Sequence, residues 1–208
     1  MNEIRNIYCV GRNYVEHAHE LNNQVPTSPL LFSKPTHSLV KANGEEITLP
    51  SDRGAVHYEA ELVIRIGQPY KKGMKVDELV DRMALGIDFT LREVQSELKK
   101  KGHPWLLAKG FPNSAVLSEF IDFPGVEECK KSNFSLMLNG EQVQLGTIQH
   151  LIFDLQTLID YTALHLGLGE GDVIFTGTPQ GVGKVSDGDE LSLLWDAGKL
   201  GDCTIKLT

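Results

Sequence analysis

The chain has 208 residues, with 28 acidic side chains against 20 basic ones and a net charge of −8. That balance, with no basic patch to neutralise phosphates, argues against nucleic acid as a partner. No apolar run approaches the roughly 20 residues a membrane span needs, so no membrane partner is expected.

The N-terminus shows no basic stretch leading into an apolar one, so no secretory leader is expected. Cys9, Cys129 and Cys203 are odd in number, widely spaced and unpatterned. They read as reduced thiols of a cytoplasmic protein, not as a disulfide frame or a zinc site. The length suits one domain, residues 1–208.

In chain order, Ile7 to Val10 reads as a short strand ended by Gly11. Asn13 is placed to cap a short helix through Tyr14 to Leu21. On it His17 and Glu20 stand three apart and share a face, as do Glu16 and His19 in a second pair. A histidine beside a carboxylate can act as a general-base dyad, though a short charged helix is more often a solvated face. The loop over residues 22–29 would let residues 13–25 move as a lid.

Leu30 to Pro35 reads as a strand. Residues 36–54 are turn-rich, with Asn43-Gly44 a hairpin signal. Val56 to Ile66 reads as one strand, in which His57, Glu59 and Glu61 alternate onto one face. Neighbours on such a face are roughly 6.5–7 Å apart, so the two glutamates can lean toward a common point. Carboxylates that close repel unless a cation sits between them. The other reading is the wet face of a half-exposed strand.

Val76 to Arg82 reads as a short helix. The apolar run Met83 to Ile87 then carries Asp88, a third carboxylate from a neighbouring strand. Three carboxylates favour a hard ion, Mg²⁺ or Mn²⁺. Thr90 and Glu93 match a capping box for a helix that stops at Gly102. Lys99, Lys100 and Lys101 fill its last turn and complement its dipole. Arg92 and Gln95, near its start, are placed to reach an anion beside Asp88, or else are solvated. Lys109 sits in the apolar stretch His103 to Phe111, either snorkelling or held for chemistry.

Phe134 to Leu138, Asn139-Gly140 and Glu141 to Gln144 form the clearest hairpin signal. Residues 148–166 have helical periodicity ending at Gly167, with His150 and His165 taken as structural. Asp172 to Thr176 is a buried strand opening into the glycine-rich Gly177 to Gly183. That stretch is a tight turn, or a set of N–H groups and the Thr178 hydroxyl aimed at a carboxylate. Strands at Glu190–Trp195 and Cys203–Leu207 close the chain. Strands outnumber helices without regular βαβ alternation, so the fold class expected is α+β and β-dominated.

The segments VGRNYVEHAHEL, LFSKP, SDRGAVHYEAEL, GIDFTLREVQSELKKKGHPWLLAKGF, LNGEQVQ and FTGTPQGVG occur in that order. Together they resemble the fumarylacetoacetate hydrolase family, in its short single-domain acylpyruvase and oxaloacetate-decarboxylase branch. The resemblance covers residues 8 to 190.

It implies a mixed β-roll, usually a homodimer, with Glu59, Glu61 and Asp88 holding Mg²⁺ or Mn²⁺. It implies His17 and Glu20 as the water-activating dyad on a lid, and Lys109 as the cation beside a developing oxyanion or enolate. Arg92, Gln95 and Thr178 are implied substrate contacts. One departure is Tyr58, where relatives often carry a second histidine. The implied reaction is hydrolytic C–C cleavage of a 3-acylpyruvate, with oxaloacetate decarboxylation possible at the same site. The alternatives are isomerisation of an unsaturated oxo-diacid, or, in another class, a non-catalytic metal-binding protein.

Overall fold

The structure, a computed structural model, describes residues 4–21 and 23–208. Its largest sheet runs, in spatial order, Leu30–Lys34, Ile7–Gly11, Val173–Phe175, Ala60–Ile66, Val80–Asp88, Ala115–Leu117 and Leu39–Lys41. Ile7–Gly11 lies parallel to Val173–Phe175, and Leu39–Lys41 lies parallel to Ala115–Leu117. The other neighbours along this order are antiparallel.

A second sheet orders Glu141–Gly146, Phe134–Leu138, Glu190–Trp195, Gly198–Leu207 and Asn43–Leu49. A small third sheet joins Gly183–Lys184, Val56–Tyr58 and Thr90–Leu91. The protein is therefore α+β and strand-dominated, with a curled, mixed main sheet.

The central pair explains the core. Ala60–Ile66 and Val80–Asp88 are buried on both faces, which is why they read as nearly unbroken apolar runs. Leu62, Ile64, Leu85 and Ile87 join the larger core on one face. Val63, Ala84 and Phe175 pack into a second cluster on the other. Gly86, opposite Glu61, has no room for a side chain: a Cβ there would lie 2.4 Å from the Phe175 ring.

The junction between sheets sets the site. Val56–Tyr58 pairs with Thr90–Leu91 and Gly183–Lys184, whereas Ala60–Ile66 pairs within the main sheet. The single expected strand Val56 to Ile66 is thus two strands, with Glu59 at the break. Tyr58 is buried against Gly183, which lacks the side chain that would obstruct its ring.

Other expectations are corrected. Asn13 does not cap the short helix, Val15–Glu20, whose N-cap is Tyr14 with no side-chain bond. Asn13 instead donates to Phe153 O and Thr176 O and accepts from Phe153 N. Asn43-Gly44 is not a hairpin; it begins a strand that runs parallel to Gly198–Leu207. Val76–Leu79 is the helix, and Val80 already belongs to a strand.

Thr90 is in a strand, so Arg92–Lys101 starts one residue later than a Thr90 cap would set, with Leu91 at its N-cap. The Glu93 carboxylate accepts from Ala55 N at 2.8 Å. Residues 148–166 divide into a short turn, Ile148–His150, and the helix Leu155–Leu166. Asp154 caps that helix by accepting from Thr157 N at 2.8 Å. The hairpin at Asn139-Gly140 forms as expected, with both residues at positive φ. The expected loop at 22–29 includes Asn22, which lies outside the described residues.

Candidate active site

Glu59, Glu61 and Asp88 come together from the strand junction, the start of Ala60–Ile66 and the end of Val80–Asp88. Each offers a carboxylate oxygen, and these oxygens lie within 4.8 Å of one another. All three residues are at most 5 % exposed, so this is not the wet face of a strand. His57 does not join them; it pairs with Thr90 and Lys184 in the small sheet. Asp88 N donates to Glu59 O at 2.8 Å, so the backbone itself ties two of the three together.

Three cations face the three carboxylates. Lys109, the last residue of Leu106–Lys109, donates to Glu59 Oε2 at 2.7 Å and to Asp88 Oδ2 at 2.5 Å. Arg92 donates to Glu59 Oε1 at 2.5 Å and to Gln95 Oε1 at 2.8 Å. Lys34 Nζ lies 2.7 Å from Asp88 Oδ1, an ion pair whose angle leaves that oxygen without a hydrogen bond. Lys34 also donates to Ser114 O and to the Lys109 carbonyl, so it holds the backbone of one partner and the charge of another.

Electrostatics differ sharply within the triad. Burial pushes Glu59 up, but Lys109 and Arg92 outweigh it and hold that carboxyl well below its usual range. Among the described residues no cation is ion-paired with Glu61. Burial, then the Asp88 charge, push it well above the carboxylate range, opposed by the Gly177 N–H at 2.7 Å. Burial pulls Lys109 down, yet Asp88 and Glu59 raise it above an ordinary lysine. Lys109 is therefore a fixed cation, not a base.

The donor set fits a hard divalent ion: three clustered carboxylates, all oxygen donors, one of them with an oxygen lacking a hydrogen bond. Cys9 does feel Asp88 and Glu61, although the sequence places no cysteine near them. Burial, then Asp88, push its thiol well up, so it offers no thiolate to a soft metal.

His17 lines the same cleft as the triad, and Glu20 pairs with its imidazole. His17 is buried, and its Nδ1 is 3.4 Å from Glu20 Oε2. Burial lowers the imidazole, against the pull of Glu59 and Glu20, so it is neutral and able to accept a proton. Glu20 Oε1 accepts from Gly181 N at 3.0 Å, which ties the helix to the glycine-rich loop. His17, Lys109 and the triad line one cleft with Arg92 and Gln95. Glu16 and His19 are exposed and stay outside it.

Thr178 lines that cleft too, but its hydroxyl donates to Ala60 O at 2.8 Å. The residue behind this arrangement is Gln144, unassigned from sequence. Its Oε1 accepts from Ala60 N at 2.8 Å, and its Nε2 donates to Thr178 Oγ1 and Pro179 O, each at 2.9 Å. It thereby fixes the backbone between Glu59 and Glu61 from a strand of the second sheet. Lys34 is the other such residue; both act through partners 34 or more residues away, which no local spacing reveals.

Gln144→Met is expected to leave Ala60 N unpaired, at about 1–3 kcal/mol for such a buried group. It should also weaken Mn²⁺ binding about 10–100-fold, as loss of an outer-shell partner does. Thermal unfolding and a Mn²⁺ titration check the two effects separately.

A model of the fumarylacetoacetate (FAA) hydrolase C-terminal domain matches residues 6–207. The chain belongs to the fumarylacetoacetate hydrolase family. Oxaloacetate tautomerase YcgM of Escherichia coli K12 is 39 % identical over 202 residues, covering 95 % of this chain and 91 % of that protein. Human mitochondrial oxaloacetate tautomerase FAHD1 is 38 % identical over 189 residues, covering 90 % and 85 %.

A crystal structure of fumarylpyruvate hydrolase from Pseudomonas aeruginosa, in complex with Mn²⁺ and pyruvate, superposes with a TM-score of 0.91. It is 33 % identical and covers 99 % of this chain and 91 % of that one. The family's enzymes among these relatives act on small oxo acids, and one of them binds a divalent metal. No helix among the described residues is long and apolar enough to cross a membrane.

Proposed function

We propose that this protein is a divalent-metal-dependent enzyme that forms and uses the enolate of a 2-oxo acid, with oxaloacetate tautomerisation its principal reaction. The observation that carries the reading is the buried Glu59–Glu61–Asp88 cluster with Lys109 bridging two of its members. Pure metal binding needs neither that lysine nor a neutral histidine opposite it, which disfavours a non-catalytic role. The names of the two tautomerase relatives support oxaloacetate as substrate.

Glu59, Glu61 and Asp88 would hold Mg²⁺ or Mn²⁺. When bound, such an ion supplies Lewis-acid polarisation of the oxo acid, worth several kcal/mol. Lys109 stays charged through the reaction and stabilises the oxygen on which enolate charge develops. His17, neutral and oriented by Glu20, accepts the C3 proton of oxaloacetate. The C–H electron pair becomes the C2–C3 double bond, and the carbonyl oxygen takes a proton to give the enol. Arg92 and Gln95 contact the substrate; Arg92 Nε is buried, has no partner among the described residues and so has a donor to spare. Thr178 lines the same cleft.

The His17–Glu20 pair also favours a second reading, hydrolysis of a 3-acylpyruvate. There His17 takes a proton from water, whose oxygen bonds to the distal carbonyl carbon. The C–C bond then breaks, its electron pair passing to the pyruvate enolate, and the acyl group leaves as a carboxylic acid. Decarboxylation of oxaloacetate forms the same enolate with no base. Isomerisation of a 2-hydroxyhepta-2,4-diene-1,7-dioate-type diacid is the related alternative. A single catalytic domain, from the length, a homodimer, from family likeness, and a cytoplasmic location, from the unpatterned cysteines, complete the proposal.

The test is an absorbance assay offering oxaloacetate, acetylpyruvate and an oxo-diene diacid, with Mg²⁺ or with EDTA. Metal-dependent loss of the oxaloacetate enol signal supports tautomerisation. No metal-dependent turnover of any substrate refutes the enzyme reading.

A further inference from the structure

The cations at the floor of the cleft are paired with carboxylates, and those at its mouth are not. At the floor Glu59 and Asp88 are ion-paired with Arg92, Lys109 and Lys34, and Glu61 lies beside them. At the mouth stand Arg12 and Lys99, which line the same cleft. Among the described residues neither has a carboxylate partner. The Arg12 guanidinium lies 5.9 Å from the centre of the Trp105 ring. Lys99 donates to the neutral Asn23 Oδ1 at 3.1 Å. Burial, then the charges of Arg12 and Arg92, pull the Lys99 ammonium below its usual value, so these cations feel one another. Like charges gathered at one opening raise the local concentration of anions and favour one that bridges them.

The backbone points the same way. Arg12 has φ 57, a left-handed conformation that costs energy for any residue with a Cβ. It persists because Asn13 is clamped: its side chain bonds Phe153 and Thr176, and its carbonyl accepts from Ile152 N. The turn that clamp enforces places the guanidinium over Trp105 at the cleft mouth.

We propose that Arg12 and Lys99 form a subsite for the second carboxylate of a dianionic 2-oxo acid, and so set a preference for diacids over monoacids. This rests on the oxo-acid reading above and specifies its substrate class. The floor, carrying a divalent cation, takes the 2-oxo-carboxylate end; the mouth takes the other charge.

The test compares Mg²⁺-loaded wild type with Arg12→Met, Lys99→Met and Arg12→Lys. Methionine keeps an apolar stem and removes the charge. In kcat/KM, the ratio of oxaloacetate to the monoanion acetylpyruvate should fall about tenfold in each methionine variant, the loss expected for one charge-assisted contact. The fall should lie in KM, and Arg12→Lys should restore part of it. Lys99 is exposed, so Lys99→Met reports on the subsite even if Arg12→Met folds poorly.

Calorimetry with oxaloacetate and with 2-oxobutanoate, which carries a methyl in place of the second carboxylate, gives the same ratio without turnover. If wild type turns over nothing yet binds oxaloacetate more tightly, and Lys99→Met removes that preference, the reaction assigned above fails and the subsite stands. A ratio unmoved within twofold in both methionine variants overturns the subsite. So does a wild type that binds the two acids equally, or binds neither.

Discussion

Replacing Lys109 with methionine is expected to cut oxaloacetate turnover roughly 10²–10³-fold, the usual loss when a preorganised donor to a developing oxyanion is removed. The expectation follows from its two short bonds to Glu59 and Asp88, which fix the ammonium and keep it charged. A second effect should accompany the first. Without the ammonium, Glu59 and Asp88 each lose a buried cation partner. Breaking a buried pair in this way costs about 3–5 kcal/mol. The metal-free variant should therefore melt lower than wild type, and Mn²⁺ should raise its melting temperature more than it raises that of wild type. Its Mn²⁺ affinity should rise, because a competing charge has left the carboxylates. Turnover within a few-fold of wild type would remove Lys109 from the chemistry.

The His17→Ala variant should separate the reactions of this site. Steps that need a base, tautomerisation and acylpyruvate hydrolysis, should fall about 10²–10⁴-fold. Decarboxylation of oxaloacetate, which needs only the stabilised enolate, should keep much of its rate. Equal loss of all three would refute the division of roles.

The pH dependence has a definite sign. Burial lowers His17 below its ordinary 6.5, and the base must be neutral to act. The base-dependent activities should therefore hold through pH 6.5 and fall only as pH drops through the lowered value. The same group weakens the fold in that window, because the unfolded chain takes up a proton at 6.5 that the folded chain refuses. A rate profile with its acid limb at or above 6.5 would contradict a buried, neutral His17.

Much of this site was legible in the sequence because its carboxylates obey local rules. Glu59 and Glu61 are two apart near a strand start, and Asp88 ends an unbroken apolar run. Lys109 stood out as the one charge in an apolar stretch, and the structure buries it among carboxylates rather than letting it snorkel. The central strands were legible for the same reason: both faces are covered, so the residues run apolar.

What was not legible depends on partners distant in the chain. The strand through His57 breaks at Glu59 because Val56–Tyr58 is claimed by Thr90–Leu91 and Gly183–Lys184. That pairing also consumes Thr90, which the capping-box pattern had assigned to the helix. Asn13 looks like a cap by position but is drawn 140 residues away to Phe153. Gln144 sits on the hairpin and reads as an ordinary strand residue until its bonds to Ala60 and Thr178 are seen. Two local signals were available and outranked by periodicity: Asp154 ahead of Leu155–Leu166 is a good cap, and the lysine of LFSKP lies within a resembling segment.

The central claim is that Glu59, Glu61 and Asp88 hold a divalent cation. It is tested most directly by titrating Mn²⁺ into metal-free protein while following free Mn²⁺ by its electron paramagnetic resonance signal, in wild type, Asp88→Ala and the near-isosteric Glu61→Gln. One site per chain is expected in wild type. In both variants binding should weaken by at least the roughly 10–100-fold that losing even an outer-shell partner costs. Equal affinity in all three proteins, or no site in wild type, would contradict it.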